Sequence, residues 1–196
     1  MIKEGISLAV IMLNEEKYID SFLTNVVFYK QRQVVNEVVL VDGLSTDGTV
    51  FKCVEKDLPV IIHPFTFHFG DQRNFAITQT HYSWVLMLDI DEFLEEGLIQ
   101  LLPVLIKDPI YQAYKIPRKN FIDGVEDTSS YPDLQVRLFK RHCRWIHPVH
   151  EELVGWKKAK VLEGLHIIHN KTSERHTQRN RILYPFLSKL WETDKS

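Results

Sequence analysis

Cysteine is scarce in this chain of 196 residues, which contains only Cys53 and Cys143. The two cysteines are far apart and neither belongs to a Cys-x-x-Cys pair, which argues against a disulfide framework and against a cysteine zinc site. We therefore expect both thiols to be reduced, as they are in the cytoplasm.

A charge excess and long apolar runs are also missing. Lys and Arg total 24 against 26 Asp and Glu, giving a net charge of -2, which disfavours a nucleic-acid partner. No apolar run reaches membrane-spanning length, and residues 1–4 do not open a signal peptide. We expect no transmembrane segment and a cytoplasmic location, with peripheral membrane contact as the one membrane interaction kept open.

What is present is the composition of an ordinary globular protein, 44% hydrophobic and 26% charged. Residues 6–13 form an almost continuous apolar run that predicts a strand ending at Asn14. Asn14 is predicted to cap the following helix. The apolar residues of that helix recur at helical spacing: Tyr18, Ile19, Phe22, Leu23, Val26 and Val27.

The strand, turn and helix order then repeats. Residues 37–41 predict a second strand, residues 49–55 a short helix and residues 60–63 a third strand. Asp71 is predicted to cap a helix that runs to about residue 80. Two successive βα units indicate a parallel sheet with right-handed crossovers.

The most informative stretch is an apolar run at residues 84–88 that ends in Asp89, Ile90 and Asp91. We interpret it as a buried fourth strand, although periodicity alone does not separate this from a short buried helix. If the strand continued through Asp91, both aspartates would lie on one face and converge on one point. Oxygen ligands of this kind suit Mg²⁺ or Mn²⁺, which bridge carboxylates to substrate phosphates. Solvated loop acids are the plain alternative, and Leu94 stands where a calcium loop needs Gly.

The second half of the chain has a different texture. Residues 98–106 predict a helix that Pro103 kinks or begins. Strands at residues 113–117 and 134–140 flank a polar loop, which suggests a mixed or antiparallel extension of the sheet. The last predicted element is a helix over residues 172–191.

A basic stripe accompanies that last helix. Lys171, Arg175 and Arg179 follow each other at intervals of four residues. The first interpretation is a solvated stripe, and binding of an anion is the alternative.

Five segments, in this order, resemble the family 2 glycosyltransferases of the GT-A fold, specifically small non-processive members that add one sugar to a surface glycan. The segments are residues 10–16, 39–49, 70–74, 84–92, and 137–139 with 149–151. The resemblance implies an α/β GT-A fold, a Rossmann-like and mostly parallel sheet flanked by helices with the mixed extension. It implies one domain over residues 1–196, with a nucleotide-sugar half at 1–108 and an acceptor and catalytic half at 109–196. The Gln-x-x-Arg-Trp motif of processive synthases is missing, and a piece of a longer protein is also considered.

The resemblance implies roles for individual residues. The nucleotide-sugar set is Leu13, Asn14, Glu16, Asp42, Arg73, Asp89, Ile90 and Asp91. Mn²⁺ or Mg²⁺ would be held chiefly by Asp91, with Asp89 at the ribose or a metal-bound water and His169 completing the shell. Glu151 would be the general base of an inverting transfer, with Glu152 and Asp133 as fallback candidates.

Elementary chemistry agrees with this assignment. A carboxylate at Asp42 can accept a hydrogen bond from a base ring N–H, which favours uracil or thymine over cytosine. The activity that the resemblance implies is metal-dependent transfer of one sugar, of the hexosyltransferase type, from a UDP-sugar to a glycan or glycolipid acceptor.

Two other function classes are kept open. The first is a catalytically silent module of the same fold that binds a sugar nucleotide or a glycan. The second is a metal-dependent hydrolase using zinc at His147, His150, His166 and His169. Their spacing is not that of a His-Glu-x-x-His helix, and Pro148 disfavours a helix there.

Overall fold

The structure is a computed structural model that describes residues 2–178, 181 and 183–193, with residues 191–193 described by their backbone alone. Its first half is built from four parallel strands in the order β3-β2-β1-β4. The strands are β1 (Lys3–Met12), β2 (Glu37–Asp42), β3 (Val60–Ile62) and β4 (Tyr82–Met87). The helices between them are α1 (Ile19–Gln31), α2 (Thr49–Val54) and α3 (Phe69–Thr78). The predicted parallel βα units are therefore present.

The second half extends the same sheet. Its elements are β5 (Glu92–Leu94), α4 (Glu96–Leu105), β6 (Ala113–Ile122), β7 (Val125–Asp127), β8 (Asp133–Lys140), β9 (Arg144–Ile146), β10 (Glu152–Val154), β11 (Ala159–Val161), β12 (Ile167–Lys171), α5 (Ser173–Gln178) and α6 (Tyr184–Thr193). Strand β8 runs antiparallel to β4 and β6, while β12 runs parallel to β6 and antiparallel to β5. Strands β9 and β10 form a separate antiparallel pair. The predicted mixed extension is confirmed.

Apolar side chains are buried on both faces of the sheet because helices cover each of them. Leu8 and Leu86 belong to one core cluster, and Ala9 and Val85 belong to the other. This is the pattern of a parallel sheet buried on both sides. Each fully buried aliphatic or aromatic side chain contributes roughly 1.5 to 3 kcal/mol, so the carboxyl ends of the parallel strands are held on a rigid base.

Two predicted helix caps are wrong. Helix α1 begins at Ile19, and Asn14 lies before it with a φ of 52°, accepting a hydrogen bond at its side-chain oxygen from Thr46 N at 2.8 Å. Helix α3 begins before Asp71, and His68 Nδ1 accepts from the Asp71 backbone N–H. In the first case the Asn14 side chain hydrogen-bonds to a neighbouring loop, and in the second His68 caps the helix before Asp71. Spacing along the chain does not reveal either contact.

The helices of the second half differ in part from the predictions. Pro103 lies inside α4 and does not start it. Within the helix predicted over residues 172–191 the structure describes α5 and α6; residues 179 and 180 and Ile182, which the prediction included, lie outside the described part of the chain, and Lys171 belongs to β12. No helix in the described part of the chain is long and apolar enough to cross a membrane.

Candidate active site

A cleft of about 920 Å³ opens at the carboxyl ends of β1 and β4. Its walls come from residues 11–15 and 65–73, from the turn after β4, from β6 and β8, from residues 145–156 and from the C-terminal helices. The volume falls in the range of roughly 300 to 1,000 Å³ that small-molecule sites occupy. Of the predicted site residues, six line this cleft: Leu13, Asn14, Arg73, Asp89, Ile90 and Glu151.

Asp42 lies away from the cleft surface. Its carboxylate is fully buried, and it accepts hydrogen bonds from Leu44 N at 3.0 Å, Ser45 N at 2.7 Å and Ser45 Oγ at 2.5 Å. The expected meeting of Asp42 with Asp89 in one ligand site is therefore not present here. Asp42 shapes the loop after β2, because a carboxylate that accepts three loop hydrogen bonds has little capacity left for a base.

Glu16 and Asn14 join that loop to the end of β1. Glu16 Oε2 accepts from Gly48 N at 2.9 Å, and a Cβ added at Gly48 would lie 2.4 Å from Glu16 Oε1. Asn14 N donates to Ser45 Oγ at 2.8 Å. The two loops thus form one braced wall at the β1 end of the cleft.

The segment 70–74 positions the opposite wall. A Cβ at Gly70 would lie 2.7 Å from the His147 carbonyl oxygen, so only glycine permits this close approach. Asn74 Nδ2 donates to Trp145 O and Asn74 Oδ1 accepts from Trp145 N, both at 2.8 Å. Helix α3 therefore holds residues 145–151 beside the cleft.

Arg73 extends from the same helix between two carboxylates. Its Nη2 lies 2.8 Å from Asp89 Oδ1, and its Nε lies 3.0 Å from Glu151 Oε1. Burial lowers the pKa of Arg73, but Asp89 and Glu151 outweigh burial and leave the pKa raised. Arg73 thus remains a charged link between the end of β4 and the predicted base.

Asp89 belongs to a larger ion-pair network. Its Oδ2 accepts from Arg137 Nη2 at 2.7 Å, and Arg137 also donates twice to the fully buried Glu92 at 2.8 Å. Arg118 Nη1 donates to Glu92 at 2.7 Å. Burial lowers the pKa of Arg137, yet Asp89 and Glu92 raise it well above its ordinary value. No role was predicted for Glu92, Arg118 or Arg137, although residues 84–92 and 137–139 belong to the segments that resemble the family.

The two aspartates do not converge on one point. Strand β4 ends at Met87, and a turn at Ile90 and Asp91 separates the carboxylates. Asp89 lines the large cleft, Asp91 lines a neighbouring pocket of about 180 Å³, and Ile90 lines both. The strand premise behind the shared metal point was therefore wrong, and Asp89 is bound by two arginines.

Asp91 and His169 do lie side by side. Asp133 Oδ2 accepts from Asn120 Nδ2 at 2.9 Å, so the amide oxygen of Asn120 faces His169 Nδ1, 2.8 Å away. His169 Nδ1 must carry a hydrogen to make this contact. In the neutral ring the lone pair is then on Nε2, which lies 3.4 Å from Asp91 Oδ1. A lone pair facing a carboxylate is favourable only when a cation or a proton lies between them.

This donor set fits a divalent cation of a particular kind. Metal-ligating histidines characteristically donate their other ring N–H to a fixed partner, as His169 does to Asn120. Within the described residues there is no cluster of three or more His, Cys, Asp or Glu side chains for a fully protein-held ion. Asp91 and His169 therefore suit an ion whose remaining ligands are water and substrate phosphate.

Arg175 is buried, so the prediction of a solvated stripe fails at this residue. Both terminal nitrogens of its guanidinium bind Glu15, and its Nε lies 3.1 Å from Asp91 Oδ2. Lys171 lies on β12 before the helix begins, and Arg179 lies outside the described residues. Arg175 thus connects helix α5 to the end of β1 and to the turn that carries Asp91.

Glu151 has one oxygen engaged and one available. Oε1 accepts from Arg73, whereas Oε2 has no hydrogen-bond partner among the residues that the structure describes. The preceding residue, His150, makes no hydrogen bond to this carboxylate in the described part of the chain. The ring of His150 instead lies 5.9 Å from that of Tyr184, and Arg73 is the group that holds Glu151.

The histidines of the zinc hypothesis serve other contacts. His166 Nδ1 lies 2.9 Å from Glu95 Oε2, and its Nε2 lies 3.1 Å from the Tyr131 hydroxyl. His169 faces Asn120 and Asp91. No zinc site is supported by these pairings.

The carboxyl ends of parallel strands are where open α/β sheets bind ligands, and this cleft places arginines and carboxylates there among apolar residues. The chain matches the family model described as Glycosyl transferase family 2 over residues 7–178, and it belongs to that family. The family predicted from the sequence is thereby confirmed.

Relatives and solved structures agree. The chain is 30% identical over 129 residues to the lipopolysaccharide core biosynthesis glycosyltransferase LpsC of Rhizobium meliloti, covering 62% of this chain and 45% of that protein. It is 29% identical over 141 residues to an uncharacterized glycosyltransferase of Rickettsia typhi, covering 69% and 46%. The chain thus spans slightly less than half the length of these relatives.

The fold is similar to that of S. aureus TarS, with a TM-score of 0.62 at 18% identity over 91% of this chain and 38% of that chain. A structure of TarS residues 1–349 in complex with UDP-GlcNAc gives a TM-score of 0.61 at 19% identity, over 85% and 58%. These likenesses confirm the predicted GT-A fold.

Proposed function

We propose that this domain transfers one sugar, with inversion and with the help of a divalent cation, from a UDP-sugar to a glycan or glycolipid acceptor. One observation carries the proposal. A single cleft contains Glu151, a carboxylate with one available oxygen. Arg73 connects Glu151 to Asp89, two residues before Asp91. Family membership supports the class of reaction.

The nucleotide is proposed to lie at the β1 end of the cleft. Leu13 and Asn14 line this end together with Phe65, so a planar base has an apolar surface and a polar edge to bind. The complex of TarS with UDP-GlcNAc supports uridine as the nucleoside. Asp42 and Glu16 contribute by bracing the two loops, and direct base recognition by Asp42 would need the Ser45 hydroxyl to release it.

The diphosphate is proposed to lie against the wall formed by Ile90 and Arg175, which line both the cleft and the pocket of Asp91. Asp91 and His169 would hold Mn²⁺ or Mg²⁺ there. Asp89 would act indirectly, by fixing the positions of Arg73 and Arg137. When bound, the cation neutralises the charge that develops on the departing diphosphate. Arg175, which Glu15 holds in place, adds a guanidinium at the same wall that can help to stabilise an anionic leaving group.

Glu151 is proposed to be the general base. Its Oε2 takes the proton of the acceptor hydroxyl while that hydroxyl oxygen forms a bond to the anomeric carbon. The bond from the anomeric carbon to the diphosphate oxygen breaks, and UDP leaves with the electron pair. A single displacement of this kind inverts the anomeric configuration. Arg73 keeps Glu151 in place through the hydrogen bond that its Nε donates to Oε1, which leaves Oε2 for the acceptor hydroxyl.

The test measures release of UDP and the configuration of the product. UDP-glucose, UDP-galactose, UDP-N-acetylglucosamine and GDP-mannose are each incubated with the protein and Mn²⁺, and with EDTA in a parallel set. We expect UDP release from a UDP-sugar, slow with water as acceptor and dependent on Mn²⁺, with the inverted anomer appearing first in the proton NMR spectrum. Binding without any turnover would favour the silent module, and a retained anomer would overturn the single displacement.

A further inference from the structure

The proposed donor site does not occupy one end of the cleft. This end is walled by β6, β8 and the segment that follows Glu151, and it contains Lys115, Gln135, Leu153 and Trp156. It lies in the half of the chain that the sequence assigned to the acceptor.

Lys115 carries a positive charge that no carboxylate balances locally. The arginines that line the cleft are each paired with at least one acid, as Arg73 and Arg137 are with Asp89. Lys115 has no carboxylate within ion-pair distance among the described residues, and its ammonium lies 5.7 Å from the centre of the Trp156 ring. A half-buried cation without an acid is a binding point for an anion.

Trp156 provides a fixed aromatic surface beside that cation. Its ring nitrogen donates to Leu153 O at 2.9 Å, which holds the indole in place. Gly155, with a φ of +94°, makes the turn that brings the ring back to the cleft after β10. A rigid aromatic ring offers the flat apolar contact that one face of a pyranose needs.

The distance from the reacting centre sets which part of an acceptor can reach this point. Trp156 follows Glu151 by five positions, so the two residues lie at most about 17 Å apart. A sugar on Trp156 would accordingly be close enough to belong to the same acceptor molecule as the reacting hydroxyl.

We propose that Lys115 and Trp156 form an acceptor subsite that binds a pyranose bearing an anionic group, with the ring on Trp156 and the anion at Lys115. The proposal rests on the proposed function, because it assigns an acceptor to the same cleft. Glu152 lines the same wall with an exposed carboxylate, so the sign of the preferred charge is the decisive observation.

The test uses three matched monosaccharides as probes: glucose, glucose 6-phosphate and glucosamine. Saturation-transfer NMR titrations are run at constant ionic strength with UDP and the diamagnetic Mg²⁺ present in excess, so that the phosphate of the probe is kept out of the donor site. We expect glucose 6-phosphate to bind about fivefold more tightly than glucose, the ratio that one exposed ion pair supplies, and glucosamine to bind more weakly.

Two variants assign the effect and one controls it. Lys115→Gln should remove the preference for the phosphate, and Trp156→Leu should weaken all three probes. Lys140→Gln is the control, because Lys140 lies over the Trp84 ring at 4.4 Å but does not line the cleft. Equal binding of the three probes, tightest binding of glucosamine, or a preference that survives in Lys115→Gln would overturn the proposal.

The affinity of UDP, measured on the same samples, separates this proposal from the proposed function. If UDP binds and the probes show no preference, only the subsite is wrong. If UDP does not bind, the donor site is wrong, and a phosphate preference lost in Lys115→Gln would still support the subsite.

Discussion

Replacing Glu151 by glutamine separates catalysis from structure at the proposed base. The glutamine oxygen can still accept the hydrogen bond that Arg73 Nε donates at 3.0 Å, so residues 147–151 should keep their position. An alanine would instead leave a buried guanidinium with one partner fewer, and breaking such a pair costs about 3 to 5 kcal/mol. Asp89 remains on Arg73 in either variant, which makes that figure an upper bound here. Glutamine is therefore the informative change.

The expected loss follows from the chemistry of one group. General-base assistance contributes about 10²- to 10⁴-fold, so Glu151→Gln should reduce turnover by at least 100-fold. The affinity for UDP and Mn²⁺ should stay within about twofold, because no proposed donor contact is removed. UDP release under saturating donor gives the turnover, and calorimetric titration gives the affinity.

Glu152→Gln is the matched control for this experiment. Glu152 is the adjacent carboxylate, also lines the cleft and is exposed. It should change turnover by less than about threefold, because a rim charge acts mainly through weak and screened interactions. Near-normal turnover of Glu151→Gln, or an equal loss in Glu152→Gln, would refute the assignment of the base.

Three further predictions concern two residues around the site and Glu37, at the start of β2. Asn120→Leu should weaken Mn²⁺ binding about 10- to 100-fold in a spin-resonance titration while UDP binding without metal stays unchanged, because His169 loses the partner that orients it; an unchanged Mn²⁺ affinity would contradict this. Asn74→Ala should lower the free energy of unfolding in urea by about 1 to 3 kcal/mol, because the backbone groups of Trp145 lose both hydrogen bonds; a difference below about 0.5 kcal/mol would show that other groups or water replace them. Burial raises the pKa of Glu37, but hydrogen bonds from Ser7 and His81 outweigh it and leave the pKa lowered. The stability that Glu37 contributes is thus present above the unfolded pKa of about 4.3 and is lost as the pH falls through the lower folded value. Glu37→Gln should therefore lower the free energy of unfolding at pH 7, and the difference from the wild type should shrink below about pH 4. A difference in unfolding free energy that is constant with pH would refute the assignment.

The sheet could be predicted from the sequence because its information is local. The apolar runs before Asn14, Asp42 and Asp89 are long enough to be buried strands, and each is followed by polar residues at the same edge. The end of β4 could not be predicted, because the turn at Ile90 and Asp91 continues the alternation of apolar and acidic residues that a strand would also show. That error produced the expectation of two converging carboxylates.

The ion pairs of the site could not be predicted from the sequence, because the fold brings together residues that are distant in the chain. Arg73 lies 16 positions from Asp89 and 78 from Glu151 in the chain, and no spacing rule connects such partners. Family segments drew attention to Arg73 and Glu151 without indicating that they touch. The burial of Arg175 was missed for the same reason, since its partner Glu15 is 160 positions away.

Binding of UDP in the presence and absence of Mn²⁺, measured by calorimetry for the wild type and for Asp91→Asn, tests the central claim most directly. Asp91 and His169 would hold the cation beside the diphosphate, so Mn²⁺ should tighten UDP binding at least tenfold in the wild type. Asp91→Asn keeps the shape of the side chain but removes its charge, and it should abolish most of that increase while leaving the metal-free affinity nearly unchanged. An equal Mn²⁺ effect in both proteins would contradict the proposed site.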